Sequence, residues 1–182
     1  MTQSSADAQM GRFLAKYASG VRDLGREAVA KLRARFPGAV VLVYDNYNAL
    51  AIGFGPTERA SDAVFSIALY PRWVSLFFLQ GADLPDPGGL LKGGGKRVRH
   101  LVLEAAETLD TLGVRALLAR AAEGAVPPFD ETKPGRLVIK SVSAKQRPRR
   151  PRSARAGRTS RRGRGGRKRP RRGSAPSPRR KG

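Results

Sequence analysis

The sequence contains no cysteine and only one histidine, His100, in 182 residues. That removes disulfides, thiolate metal sites and thiol nucleophiles together, and leaves no second imidazole to complete a zinc site. A cysteine-free chain fits a reducing compartment. Long apolar runs are missing too. The longest, near 63–69 and 74–79, fall far short of the ~20 residues that a membrane-spanning helix needs. Residues 1–10 carry an acid and no apolar stretch, so they do not read as a signal peptide. The expectation is a cytoplasmic protein with no membrane insertion. The most informative shortage is of acid. All 14 Asp/Glu lie within residues 1–143, where 18 Lys/Arg leave a net charge of +4. Residues 144–182 hold the other 18 Lys/Arg and no acid at all.

That asymmetry divides the chain. A near-neutral body of ~140 residues can bury roughly two-thirds of its surface, enough for one core. The segment 144–182 adds six Gly and five Pro and no apolar side chain larger than Ala. Such a composition cannot offset chain entropy by burial, so the expectation is a disordered basic tail behind one domain at 10–143.

Within the body the hydrophobic period changes twice. Met10, Phe13, Leu14 and Tyr17 have helical spacing, with residues 1–9 expected to fray. Val21, Leu24, Ala28 and Leu32 line a second helix that Ser19 could cap and that ends before Pro37-Gly38. Short β-branched or alternating runs follow at 39–45, 49–54, 63–70, 73–79 and 97–104, with short links between the first four. The run at 73–79 is apolar on both faces and reads as central. Val114, Leu117, Leu118 and Ala121 mark a last helix, capped by Asp110 or Thr111 and closed at Gly124, before a final strand at 136–142. The predicted class is α+β: an antiparallel sheet of about five to six strands packed with N-terminal and C-terminal helices.

Several strings carry a resemblance. Tyr47-Asn48-Ala49-Leu50, Phe65-Ser66-Ile67-Ala68-Leu69-Tyr70-Pro71 and Val74-Ser75-Leu76-Phe77-Phe78 are three of them. Asp86-Pro87 is a fourth, and Leu90-Leu91-Lys92-Gly93-Gly94-Gly95-Lys96-Arg97-Val98-Arg99-His100 is the specific one. Together they resemble the YdhG-like family (domain of unknown function 1801), over roughly residues 10–151. The resemblance implies a small α+β fold and no established activity or catalytic residues. For part of that family it also implies a frataxin-like iron-chaperone role, which requires a ridge of carboxylates. The acids of this body are scattered and outnumbered by bases.

The basic tail is the strongest functional signal. Arg and Lys neutralise phosphates and release counterions, the main source of sequence-independent affinity for nucleic acid. The candidate contacts are Arg147, Arg149, Arg150, Arg152, Arg161, Arg162, Arg164, Arg167, Lys168, Arg169, Arg171, Arg172, Arg179, Arg180 and Lys181. Arg162-Gly163-Arg164-Gly165-Gly166-Arg167 resembles an RGG-type segment, and Ser177-Pro178-Arg179-Arg180 resembles the Ser-Pro-basic-basic turns of linker-histone tails. Lys168 to Arg172 also reads as a nuclear address in a host that has a nucleus; otherwise a nucleoid association fits. The competing readings are a solvated charge run, an acidic protein partner, or attachment to an anionic lipid surface.

A second candidate is an anion or ligand pocket drawing on Lys96, Arg99, His100 and Tyr70. The Gly93-Gly94-Gly95-Lys96 run exposes backbone N–H groups, but Arg97 and a strand follow it where a P-loop needs Ser/Thr and a helix. His100, on a strand between Val98 and Val102, reads most simply as structural. Asp83 and Asp86 read as turn formers. No nucleophile–base pair, metal site or cofactor motif emerges, so the expectation is a non-enzymatic protein. The alternative is a small-molecule or iron-chaperone-like metal-binding domain with an accessory tail.

Overall fold

The computed structural model describes residues 2–151. Helix α1 spans Gln3–Leu14 and α2 spans Ser19–Arg35. Strands β1 (Val40–Asp45), β2 (Leu50–Gly55), β3 (Phe65–Leu69) and β4 (Val74–Phe78) follow as a meander. Next come β5 (Arg99–Leu103), α3 (Leu112–Glu123) and β6 (Arg136–Val142). The α+β class stands, in a single six-stranded sheet ordered β5-β4-β3-β2-β1-β6.

Helix α1 starts seven residues before its expected position, at Gln3 rather than Met10. The Thr2 hydroxyl accepts a hydrogen bond from the Ser5 amide at 3.4 Å, an N-terminal cap. Buried Ala6 extends the apolar stripe of Met10, Phe13 and Leu14 by one turn. Helix α2 uses Ala18 as its N-terminal flanking residue, without a side-chain cap, and α3 is flanked by Thr111 and Gly124.

The sheet is mixed, not antiparallel throughout. Strand β6 pairs parallel to β1, with a register shift between Val43 and Tyr44. Strand β4 lies one place in from the edge, flanked by β3 and β5, while β3 and β2 are central. One face of the sheet is the core: Val41, Val43, Ile52, Phe54, Phe65, Ile67, Leu76 and Phe78 pack against Phe13, Leu32, Leu117 and Leu118 of the three helices. Each large side chain buried there stabilises the fold by about 1.5–3 kcal/mol. The three α-helices all feed this core cluster, so the opposite face of the sheet is left without an α-helix among the described residues; the short 3-10 turn at Ala60–Asp62 and Ala63 cover only its Gly53–Gly55 end. Its centre carries only small side chains, Ala51, Gly53, Ser66, Ala68 and Ser75, with Phe77 and His100 to one side.

The folded unit also extends further than 143. It closes at Pro151. Residues 144–151 were grouped with the tail on composition alone, but Arg149 is buried there and 5% exposed. A buried guanidinium needs a counter-charge, and Asp45, fully buried at the end of β1, supplies it. The expectation of disorder for the remainder falls on 152–182, outside the described residues.

Candidate nucleic-acid interface

The site forms where β1 ends, β2 begins and the last segment of the folded unit crosses them. Ser143 N–H donates to the Asp45 carbonyl at 2.9 Å, and Arg147 N–H donates to the Tyr47 carbonyl at 2.9 Å. Gln146 Nε2 donates to the Asp45 carbonyl at 3.1 Å. The segment is thus hydrogen-bonded along the β1–β2 hairpin. The Asp45 carboxylate accepts from Lys16 Nζ at 2.6 Å and from Arg149 Nη2 at 2.8 Å, and Arg149 also donates to the Asn46 carbonyl. Burial pushes the Asp45 carboxyl up, but the hydrogen bonds from Lys16, Gln146 and Arg149 and the Lys16 charge outweigh it and hold the group below the usual carboxylate range. Arg150 donates to the Ala15 and Lys16 carbonyls at 3.2 and 3.3 Å, placing its charge at the C-terminal end of α1, where positive charge is favoured.

Tyr17 anchors the same corner from below. Its hydroxyl donates to the Leu69 carbonyl at 3.0 Å and accepts from the Leu50 amide at 2.9 Å. Burial pushes its pKa up to about 12, against the lowering effect of the Arg149 charge 5.6 Å from the ring centroid. The phenol therefore stays neutral and serves as a fixed crosslink between β2 and β3.

Above this anchor lies a cleft of about 630 Å³, within the ~300–1,000 Å³ range of ligand pockets. Its walls include Tyr70, Trp73, Arg72, Arg147 and Arg150, and among the described residues no acidic one lines it. Tyr70 and Trp73 flank the β3–β4 turn, closed by the Tyr70 amide donating to the Trp73 carbonyl at 2.9 Å. Their rings stack at 4.9 Å between centroids and 21° between planes. Trp73 is 45% exposed and nearby Tyr47 46%. The Arg147 guanidinium sits 5.7 Å from the Tyr47 ring centroid, a cation–π distance. The cleft continues through Asn48 and Tyr70 into a shallower trough on the sheet face away from the α-helices, floored by Ala51, Ser66 and Ala68 and edged by Phe77. On the other side of Trp73 the surface carries Glu27, Glu104 and Glu107 beside Arg72, with Asp23 paired to Arg22 and Arg26.

The residues singled out from sequence fare unevenly. Arg147 and Arg150 line the cleft. Arg149 does not; its charge is spent on Asp45 inside the fold, which corrects its placement among free tail contacts. Arg152, Arg161, Arg162, Arg164, Arg167, Lys168, Arg169, Arg171, Arg172, Arg179, Arg180 and Lys181 lie outside the described residues. The expected grouping of Lys96, Arg99, His100 and Tyr70 is not formed. Tyr70 follows Leu69, which aligns through Val74 with Leu103, whereas Arg99 aligns with Phe78 at the other end of β4. Four strand residues separate the two ends, roughly 13 Å. Arg99 instead donates to the Val98 carbonyl at 2.9 Å and to that of Gly95, and Lys96 is exposed in the loop. His100 stacks on Phe77 at 5.2 Å, on the sheet face away from the α-helices, and its backbone pairs with Lys92 beside β5. Asp86 accepts from the Leu90 and Leu91 amides at 3.0 and 2.7 Å, the turn role expected of it. Among the described residues no group of three or more His, Asp or Glu side chains could hold a metal ion. No helix among them is long and apolar enough to cross a membrane.

Sequence reasoning names Tyr47 only as a tyrosine able to line a pocket, reads Trp73 as a core or sheet-face residue, and misses Arg72 and Asn48 as site residues. The one signal available was the aromatic–Pro–Arg–aromatic order of Tyr70-Pro71-Arg72-Trp73, a turn that brings two rings together beside a cation. Comparison with family models, with curated proteins and with solved structures returns no match to this chain.

Proposed function

We propose that this protein is a non-enzymatic nucleic-acid binder whose basic run past 151 supplies electrostatic affinity and whose folded unit supplies a first docking point. The observation that carries this reading is the acid-free cleft walled by Arg72, Arg147 and Arg150 at the place where the chain passes Pro151 into its basic run. Residues 152–182 contribute 14 Lys/Arg and no acid, a composition that gives sequence-independent affinity for phosphates. The binding carries little sequence preference because phosphate contacts carry no base information.

The test is the salt dependence of binding by the full chain. Log affinity for a single strand falls against log salt with a slope of about −0.7 per phosphate neutralised, and of about −0.9 on duplex DNA. Replacing Arg161, Arg162, Arg164, Arg167, Lys168 and Arg169 together by Gln is expected to weaken binding at moderate salt and to flatten the single-strand slope by up to about 4. Unchanged affinity and slope in fluorescence anisotropy would refute the role given to the basic run.

A further inference from the structure

We infer that the Tyr70–Trp73 pair is the stacking platform of a single-strand site, in which unpaired bases enter the cleft and the trough beyond it while the phosphates follow Arg72, Arg147 and Arg150. This rests on the nucleic-acid reading above and adds to it the strandedness of the ligand and the residues that sense it.

Four observations point the same way. First, Trp73 is a large aromatic left nearly half exposed, although Val74, the next residue, is fully buried. It is held in place by its stack on Tyr70 and by the closed turn, so a base that settles on it meets a ring already ordered. Second, among the described residues every charged side chain on the cleft wall is an arginine. That arrangement attracts phosphate and repels cationic ligands, and a planar guanidinium can also stack on a base. Third, the path does not end at the cleft. It runs past Asn48 onto the sheet face away from the α-helices, whose floor is Ala51, Ser66 and Ala68 and whose far edge is Phe77. Small side chains beneath and aromatic rings at both ends leave room for flat groups. Sheet faces that bind RNA stack two or three bases on aromatic side chains in this way. Fourth, on the other side of Trp73 Glu27, Glu104 and Glu107 outnumber Arg72, and Asp23 is already paired with Arg22 and Arg26, so a phosphate chain is favoured toward the sheet face rather than toward the helices.

Duplex nucleic acid cannot use this platform, because its base faces are buried in its own stack. Duplex binding is left to the phosphate contacts alone.

Trp73 is the sole tryptophan of the chain, so its emission reports on the cleft without a label. The experiment titrates the full-length protein with an unlabelled single strand and with a duplex of equal length, following tryptophan fluorescence in parallel with anisotropy of labelled copies. The expected result is quenching by the single strand and little change with the duplex, although both bind. Trp73→Ala is expected to weaken single-strand binding roughly five- to a hundredfold, the range for losing one stacked base, and to leave duplex binding and the salt slope unaltered. Trp73→Phe should recover part of the loss. If both nucleic acids bind but neither quenches Trp73, and Trp73→Ala changes neither affinity, the stacking site is wrong while the electrostatic reading survives. If no nucleic acid binds the wild-type chain, both are wrong.

Discussion

Replacing Asp45 by Asn removes the charge that holds the last eight residues of the folded unit, 144–151. Two cations lose their partner. Lys16 is 39% exposed in its side chain and can turn to water, so its share of the loss is at most about 1 kcal/mol. Arg149 cannot do so in place: its side chain is 3% exposed, and its Nε and Nη1 already lack a partner among the described residues. A buried charge stripped of its counter-ion costs about 3–5 kcal/mol. The segment can escape that cost by peeling away and carrying Arg149 into solvent. Besides the bonds of Arg149 to Asn46 and of Lys16 to Gln146, doing so gives up four hydrogen bonds: Arg147 to the Tyr47 carbonyl, Gln146 to the Asp45 carbonyl, and Arg150 to the Ala15 and Lys16 carbonyls. At about 0.5–1.5 kcal/mol each, these total about 2–6 kcal/mol. Either route predicts a loss near 3 kcal/mol, measured by urea unfolding of the full chain. The two routes differ in proteolysis. Peeling exposes the bonds after Lys145 and Arg149 to trypsin, and mass spectrometry would show fragments ending there that the wild-type chain does not yield. Asp45→Asn combined with Arg149→Gln should be less destabilised than the sum of the two single changes by at least about 1 kcal/mol, since the pair acts as a unit. A loss under about 1 kcal/mol for Asp45→Asn, with Lys145 still protected, would refute the reasoning.

Other expectations concern pH. The folded-state pKa of Asp45 is lowered, so its contribution is complete above the unfolded value of about 3.9 and is lost as pH falls through the lower folded value. Asp45→Asn should therefore flatten the acid limb of a stability–pH profile below about pH 4, read by thermal unfolding. Tyr17 behaves oppositely. Its raised pKa, about 12, means its contribution is complete below about pH 10 and disappears between 10 and 12, a loss of about 2–3 kcal/mol. Tyr17→Phe should abolish that alkaline loss while lowering stability at neutral pH, because the Leu50 amide and Leu69 carbonyl lose a partner.

The element types were largely legible in the residues, since burial on one face imposes its own period. Alternation in Phe65, Ile67 and Leu69 marked β3, and the spacing of Val114, Leu117 and Leu118 marked α3, both of which follow from local geometry. The parallel pairing of β6 with β1 was not legible, because nothing in Arg136–Val142 records which sheet edge it joins. The limit of the fold was misplaced for a related reason. Arg149 looks like any other arginine in a basic run, and its burial depends on Asp45, 104 positions earlier in the chain. The site failed similarly. Lys96, Arg99 and His100 are adjacent in sequence to one another but lie at the far end of the strands from Tyr70, whereas the cleft joins the 70–73 turn to residues 147–150 through tertiary contact alone.

The position of β6 has a consequence for how the chain is made. Strand β1 is synthesised about a hundred residues before the strand that covers its outer edge, and Val40 to Asp45 wait with one row of backbone groups unpaired. Gln3 also finds its partner, the Leu137 amide, only at that point. Joining segments so distant in sequence is entropically slow, and an unpaired apolar edge is a template for association with other chains. Gly135 tightens this late step further. A Cβ there would lie 2.6 Å from the Ala39 carbonyl, so the strand's approach to β1 tolerates no side chain at its first contact. The nascent protein is thus most prone to aggregate between the emergence of β1 and the arrival of residues 136–149, and the last step of folding is the one that both closes the sheet and builds the arginine wall of the cleft.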